Sequence, residues 1–152
     1  MKKFLFILSI FLFVLCSKDD DSTVKGCTDP QAVNYNINAT ESDNSCQYSI
    51  VGDWAAVSYK LSDGTDIMAS YSYILYQIYS NNTFYQEAAD LDDNIIISLN
   101  GTYSISSNNT QITFDNGITD PFLATIVSID SENVKLTGNA NSLTATLELE
   151  RI

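Results

Sequence analysis

Short clusters of turn-forming residues recur from Ile50 onward, and this spacing constrains the fold more than any other feature of the chain. The clusters, rich in Asn, Asp, Ser and Gly, lie at 62–64, 81–82, 92–94, 107–109, 115–117, 130–132 and 138–139. The segments between them are rich in Tyr, Ile and Thr, which favour pleated strands. Turn signals between short apolar segments predict an antiparallel meander. The predicted strands are 52–60, 71–79, 83–88, 94–99, 102–106, 110–115, 122–130, 133–137 and 143–151.

The last predicted strand shows the clearest alternation. Apolar residues occupy positions 143, 145, 147 and 149, and Thr or Glu occupies the positions between them. This period of two indicates a strand with one buried face. Eight or nine such strands in the segment 50–152 are best accommodated by closure, which removes exposed sheet edges. The sequence therefore predicts an all-β, up-and-down antiparallel barrel, with an open β-sandwich as the alternative.

The two ends of this segment carry residues that fit a closed barrel. Gly52 and Trp54 begin the first strand, and Arg151 ends the last strand with the same parity as Leu147 and Leu149. The first and last strands become neighbours when a barrel closes, so we expect the Arg151 guanidinium to stack on the Trp54 indole. Residues 50–152 resemble the lipocalin-like domains of Bacteroidetes lipoproteins. Three short motifs carry the resemblance: Ile50-Val51-Gly52-Asp53-Trp54, Gly101-Thr102-Tyr103-Ser104-Ile105 and Leu147-Glu148-Leu149-Glu150-Arg151.

The resemblance implies a lumen that holds a small apolar ligand. Three small residues predicted to face inward, Ala56, Ser58 and Ala145, would leave space, and Tyr71 and Tyr73 would line a mouth together with Tyr79. Tyr76, on the opposite face, would line the mouth as well. In the alternative, a barrel filled by its own side chains has no ligand and acts as a surface interaction, adhesion or structural module. The direction in which the tyrosines point distinguishes these two functions.

The N-terminus reads as an export signal. Lys2 and Lys3 precede an apolar run, 4–15, which would form a helix of only about 18 Å, short of the ~30 Å of a bilayer core. The run ends at Cys16 and resembles a bacterial lipoprotein signal, although Leu15 is larger than the usual residue before the Cys. The resemblance implies cleavage of residues 1–15 and anchoring to a membrane through lipid on Cys16. Residues 16–25 form an acidic tether similar to a surface-export signal, so we expect an outer-membrane lipoprotein at the cell surface or, alternatively, on the periplasmic face.

A cysteine-bounded segment, 26–48, follows the tether. With Cys16 assigned to lipid, Cys27 and Cys46 remain as one pair in an oxidising compartment. The segment has few apolar residues and needs such a disulfide for order. It resembles the GCTDxxAxNYNxxAxxxDxSCxY motif of secreted Bacteroidetes proteins. Four side chains offer oxygens to Ca²⁺, but we predict that they satisfy turn backbone groups instead, because calcium prefers six to eight oxygens, several of them charged: Asp29, Asn34, Asn36 and Asp43.

Composition excludes several function classes. The formal charge is −12, becoming −14 without Lys2 and Lys3, so nucleic acid is an unfavourable partner. The chain has no His, which removes the commonest general base and transition-metal ligand. No Cys–base pair and no Gly-rich phosphate loop is present. The sequence thus predicts a binding or interaction protein, not an enzyme, with no cofactor and no bound metal. It does not predict an oligomeric state.

Overall fold

A computed structural model describes residues 23–140 and 142–152, and in them eight antiparallel strands close into a barrel. The prediction of an all-β barrel is confirmed. Two further strands, β1 (Lys25–Gly26) and β2 (Glu41–Ser42), pair where the tether meets the cysteine-bounded segment. The barrel strands are β3 (Gly52–Leu61), β4 (Tyr73–Ile78), β5 (Thr83–Ala89), β6 (Ile95–Ile105), β7 (Gln111–Asp115), β8 (Phe122–Ile129), β9 (Asn133–Ala140) and β10 (Leu143–Arg151).

Every barrel strand lies beside its neighbours in sequence, and β10 pairs with β3 to close the sheet. This up-and-down order places the connections alternately at two ends. We call the base the end that holds residues 49–52, the C-terminus and the loops 79–82, 106–110 and 130–132. We call the mouth the end that holds the loops 62–72, 90–94 and 116–121. The chain therefore enters and leaves the barrel at the base.

Two glycines that separate predicted elements lie inside strands. The predicted strands 94–99 and 102–106 are one strand, β6, and the predicted turn at 138–139 is part of β9. A Cβ at Gly101 would lie 2.5 Å from a Phe84 ring carbon, and a Cβ at Gly138 would lie 2.6 Å from the Phe122 ring. These glycines give space to aromatic rings from neighbouring strands and do not interrupt the chain.

A β-bulge in β3 reverses the direction of the side chains in the half of the strand that lies nearer the mouth. Ala56 pairs with Leu149, but Ser58 pairs with Glu148, so Val57 is an extra residue and its side chain is 55% exposed. A one-residue shift moves every later side chain to the other face. The expectation that Ser58 faces inward with Ala56 is therefore wrong, and Tyr59, opposite Leu147, faces inward instead.

The described part of the chain holds one short 3-10 turn, Ile67–Ser70, and its position compensates for incomplete strand pairing. β3 and β4 pair only where residues 52–55 face 75–78, so their upper halves separate toward the mouth. The turn begins at Asp66, whose carboxylate accepts from the Met68 amide at 3.1 Å, and Met68 packs on the core. In the described residues no helix is long and apolar enough to cross a membrane.

The cysteine-bounded segment is joined by a disulfide between Cys27 and Cys46, as predicted. Its polar side chains bind backbone groups. The Asp29 carboxylate accepts from the Gln31 amide at 2.9 Å and from the Tyr48 hydroxyl at 2.7 Å, and the Tyr48 bond is the main cause that lowers the pKa of Asp29. Asn34 accepts from the Gln47 amide at 2.8 Å. These bonds hold the turns of a segment with little apolar burial.

Candidate functional site

A cavity of about 230 Å³ lies inside the barrel and extends to the mouth. Inward-facing positions of β3 to β10 supply most of its wall, and the loop 116–121 supplies the rim. Five aromatic rings and four leucines make the wall mainly apolar, whereas the polar groups are one amide in the lumen and three residues of the rim. The lining residues are Tyr59, Tyr76, Phe84, Gln86, Leu99, Phe114, Asn116, Thr119, Asp120, Phe122, Leu136, Leu147 and Leu149.

Phe114 organises the aromatic part of the wall. Its ring centroid lies 5.1 Å from that of Phe84 in an edge-to-face arrangement, and 6.4 Å from that of Tyr76. Such arrangements are favoured by the quadrupoles of the rings. Because each ring is held by another, their faces form a preformed apolar surface along one side of the cavity.

A tyrosine and a glutamine form a polar pair inside this apolar wall. Tyr76 on β4 and Gln86 on β5 are opposite each other in the ladder, and the Gln86 amide donates to the Tyr76 hydroxyl at 3.2 Å. Burial raises the pKa of Tyr76 well above its usual value, so the hydroxyl stays protonated. Among the described residues the hydroxyl proton has no acceptor, and the Gln86 carbonyl oxygen has no donor. The pair therefore offers one donor and one acceptor to a molecule in the lumen.

The base of the barrel is closed by Trp54 and Arg151. Trp54 is fully buried, and its indole N–H donates to the Ile50 carbonyl at 2.7 Å. The guanidinium carbon of Arg151 lies 4.2 Å from the indole centroid. Arg151 Nε donates to the Ser131 carbonyl at 2.6 Å, and its Nη atoms donate to the carbonyls of residues 49 and 51. A Cβ at Gly52 would collide with the guanidinium, which explains a glycine there.

The structure separates the residues that the sequence predicted for the ligand site. Ala56 and Ala145 are buried and face inward, but they lie outside the cavity wall. Tyr71 packs against the edge of the core. Ser58 and Tyr73 lie on the outer face, where the Tyr73 hydroxyl donates to Glu87 at 2.8 Å. None of these five residues lines the cavity.

Two residues that line the cavity, Tyr76 and Gln86, could be found from the parity of β4 and β5; the sequence-based prediction named Tyr76, as a residue of the mouth, but missed Gln86. The prediction that Tyr76 lies on the face opposite Tyr73 is correct. That face is the buried face of β4, where Tyr76 lies between Ile74 and Ile78. In β5, Gln86 lies two positions from Phe84 and so must share its inward face. The alternation of β4 and β5 therefore contained the signal for the polar pair.

No family model and no curated protein matches this chain. Among solved structures it is similar to a de novo designed, fluorescence-activating β-barrel, with 12% sequence identity and a TM-score of 0.49. The match covers 67% of this chain and 93% of the designed chain. The closed barrel is established independently of this similarity by the pairing of β10 with β3.

Proposed function

We propose that this protein is an exported lipoprotein that binds a small, mainly apolar molecule in the lumen of its barrel. The observation that carries the proposal is the cavity itself: an apolar wall of aromatic rings and leucines, with Tyr76 and Gln86 as its inner polar pair. Small-molecule sites typically combine such a wall with a few polar groups that orient the ligand.

The size of the cavity limits the ligand. Its volume of about 230 Å³ lies below the usual ~300–1,000 Å³ of pockets for drug-sized molecules and above the ~150 Å³ of a cavity that holds benzene. A molecule with one ring and a short substituent fits this space. At roughly 0.3–1.5 kcal/mol per non-hydrogen atom, a ligand of about nine such atoms would gain about 3–13 kcal/mol, which corresponds to dissociation constants of about 10 mM or lower.

The membrane anchor is part of the proposal, and the chain order joins it to the base of the barrel. The chain reaches the barrel at the base, and the tether 16–25 spans at most about 33–36 Å when extended. Lipid on Cys16 would therefore join the barrel to the membrane through its base and leave the mouth free of the attachment. Display at the cell surface, or on the periplasmic face, is consistent with the same geometry.

Filling the cavity should abolish binding. We expect Leu99→Trp to weaken the binding of 2-phenylethanol at least about tenfold, because the indole would occupy the space between β6 and the rim loop. Isothermal titration and saturation-transfer NMR would measure the binding. Leu123→Trp is the matched control, since Leu123 is 52% exposed on the outer face of β8. Equal binding by both variants, or no binding by the original protein, would contradict the proposal.

The lipid anchor makes a separate prediction. Protein purified from its native membrane should carry diacylglycerol on Cys16 and lack residues 1–15, as measured by intact mass. Cys16→Ser should abolish the lipid mass and release the protein into the soluble fraction. An unmodified Cys16 at the N-terminus would refute anchoring but leave lumen binding untouched.

The outer face supports a second candidate function, a surface interaction module. Tyr73 and Tyr85 point outward and both donate to Glu87, at 2.8 and 2.7 Å, and these bonds lower the pKa of that carboxyl group. Two fixed tyrosines beside a carboxylate resemble the aromatic contacts of protein and glycan interfaces. Tyr73→Ala with Tyr85→Ala would eliminate partner binding of this kind without affecting 2-phenylethanol binding.

A further inference from the structure

We infer that the lumen selects a positively charged ligand: a small aromatic or branched aliphatic amine in its ammonium form. This inference rests on the proposed function, because it names the chemical class that the same cavity takes. It follows from the charge of the cavity wall, the free carboxylate at its rim and the aromatic surface inside.

The charge of the cavity wall has one sign. In the part of the chain that the structure describes, Asp120 is the only charged residue that lines the cavity. The four cations of the described residues lie elsewhere: Arg151 is held by carbonyls at the base, and Lys135 is on the outer face, 2.7 Å from Glu148. Lys60 is exposed, and Lys25 is the last residue of the tether, 3.8 Å from Glu41. A carboxylate ligand would therefore enter without a cationic partner, which is unfavourable.

Asp120 combines a position on the cavity wall with a free carboxylate. Among the described residues, the carboxylates of Asp92 and Asp93 also accept no hydrogen bond, but these two residues do not line the cavity. The carboxylates of Asp63, Asp66, Asp90 and Asp115 each accept a backbone N–H of their own turn, at 2.8–3.1 Å. In the described residues no such donor reaches the carboxylate of Asp120. It is thus available at the cavity rim for an ammonium group, as a charge-assisted hydrogen bond requires.

The acidic residues around the mouth attract cations over a longer distance than Asp120 alone. Its three loops and their flanking residues contain seven aspartates against one cation, Lys60. Like charges around an opening attract counter-ions of the opposite sign and repel anions. We expect this field to concentrate cations near the cavity, and to weaken with increasing salt.

The interior can hold a cation that enters. Tyr76, Phe84 and Phe114 line the cavity, and aromatic faces attract ammonium groups within about 6 Å, the more strongly when water is excluded. The Gln86 carbonyl provides a free acceptor in the same lumen. An aromatic amine can therefore pack its ring against the apolar wall and place its ammonium group near an acceptor or an aromatic face in the same cavity.

Binding of three matched probes to the full chain tests whether the lumen prefers a cation. 2-Phenylethylammonium, 2-phenylethanol and phenylacetate share a ring and a short chain but differ in charge. By isothermal titration at low salt we expect the ammonium to bind about 3- to 10-fold more tightly than the alcohol, and phenylacetate to bind most weakly. Raising the salt concentration should reduce the advantage of the ammonium and leave the alcohol unchanged.

Asp120→Asn identifies the carboxylate responsible. This substitution should weaken the binding of 2-phenylethylammonium about 3- to 10-fold and leave the binding of 2-phenylethanol unchanged. Asp93→Asn, which changes the same charge on the loop 90–94 away from the cavity wall, should have an effect below twofold. If the alcohol binds but the ammonium has no advantage, or if Asp120→Asn and Asp93→Asn act alike, the inference fails and lumen binding stands. If no probe binds, the proposed function fails with it.

Discussion

Trp54→Ala is expected to destabilise the barrel by about 3–5 kcal/mol, the range for removing a large buried aromatic side chain. Trp54 is fully buried, packs in the core at the base and donates to the Ile50 carbonyl at 2.7 Å. Its loss also removes the surface on which the Arg151 guanidinium rests, at 4.2 Å. Urea unfolding followed by far-UV circular dichroism would measure the change, since the variant has no tryptophan.

Two milder variants separate packing from the cation–π contact. Trp54→Phe keeps a ring beneath Arg151 but loses the indole donor, so we expect a smaller loss, about 1–3 kcal/mol. Arg151→Met keeps an unbranched chain but removes the charge and its three hydrogen bonds, and should also destabilise the base. A change below about 1 kcal/mol for Trp54→Ala would show that the base does not depend on this residue.

Replacing both Cys27 and Cys46 by Ala is expected to destabilise the cysteine-bounded segment by about 3 kcal/mol, the chain-entropy value for a loop of this size, and to leave the barrel folded. The segment cannot compensate by apolar burial. Cys27 and Ala32 are buried, but Val33 and Ile37 are 66% and 79% exposed. Local opening of this kind is seen by hydrogen exchange.

The informative amides are those that hold the segment together. The Asn36 amide donates to the Cys27 carbonyl at 2.9 Å, and the Val33 amide donates to the Gln47 carbonyl at 2.8 Å. Their protection should fall in the double variant, whereas amides of β4 and β5 serve as the internal control. Unchanged protection at Val33 and Asn36 would show that turn hydrogen bonds alone are sufficient. Loss of protection throughout the barrel would show that the segment is needed for folding.

Much of the fold could be predicted because alternation and turn chemistry are local. The strand 143–151 was recognised from its period of two, and β10 spans Leu143–Arg151. The positions of Trp54 and Arg151 at opposite ends of the segment led to the expected stacking, and the structure brings the two residues together in one cross-strand pair. The disulfide was predicted from the cysteines that remained after Cys16.

The candidate site could be predicted only in part, because its wall depends on register. The expected inward position of Ser58 was wrong, since the bulge at Val57 is set by pairing with β10 and leaves no local signal in β3. Gly101 and Gly138 read as breaks, because the aromatic rings over them come from other strands. The rim residue Asp120 belongs to the cavity wall only because the folded loop 116–121 contributes to it.

The sequence by itself determined the all-β class, the approximate strands, the acidic character of the chain and the contact between the two ends of the barrel segment. Each of these depends on side-chain period or residue type. The tertiary structure decided which side chains share the lumen. That choice depends on bulges and on close packing between strands distant in sequence, where one inserted residue reverses a face and one missing Cβ admits a ring. The polar pair of Tyr76 and Gln86 meets for the same reason: its two members face each other only in the folded ladder.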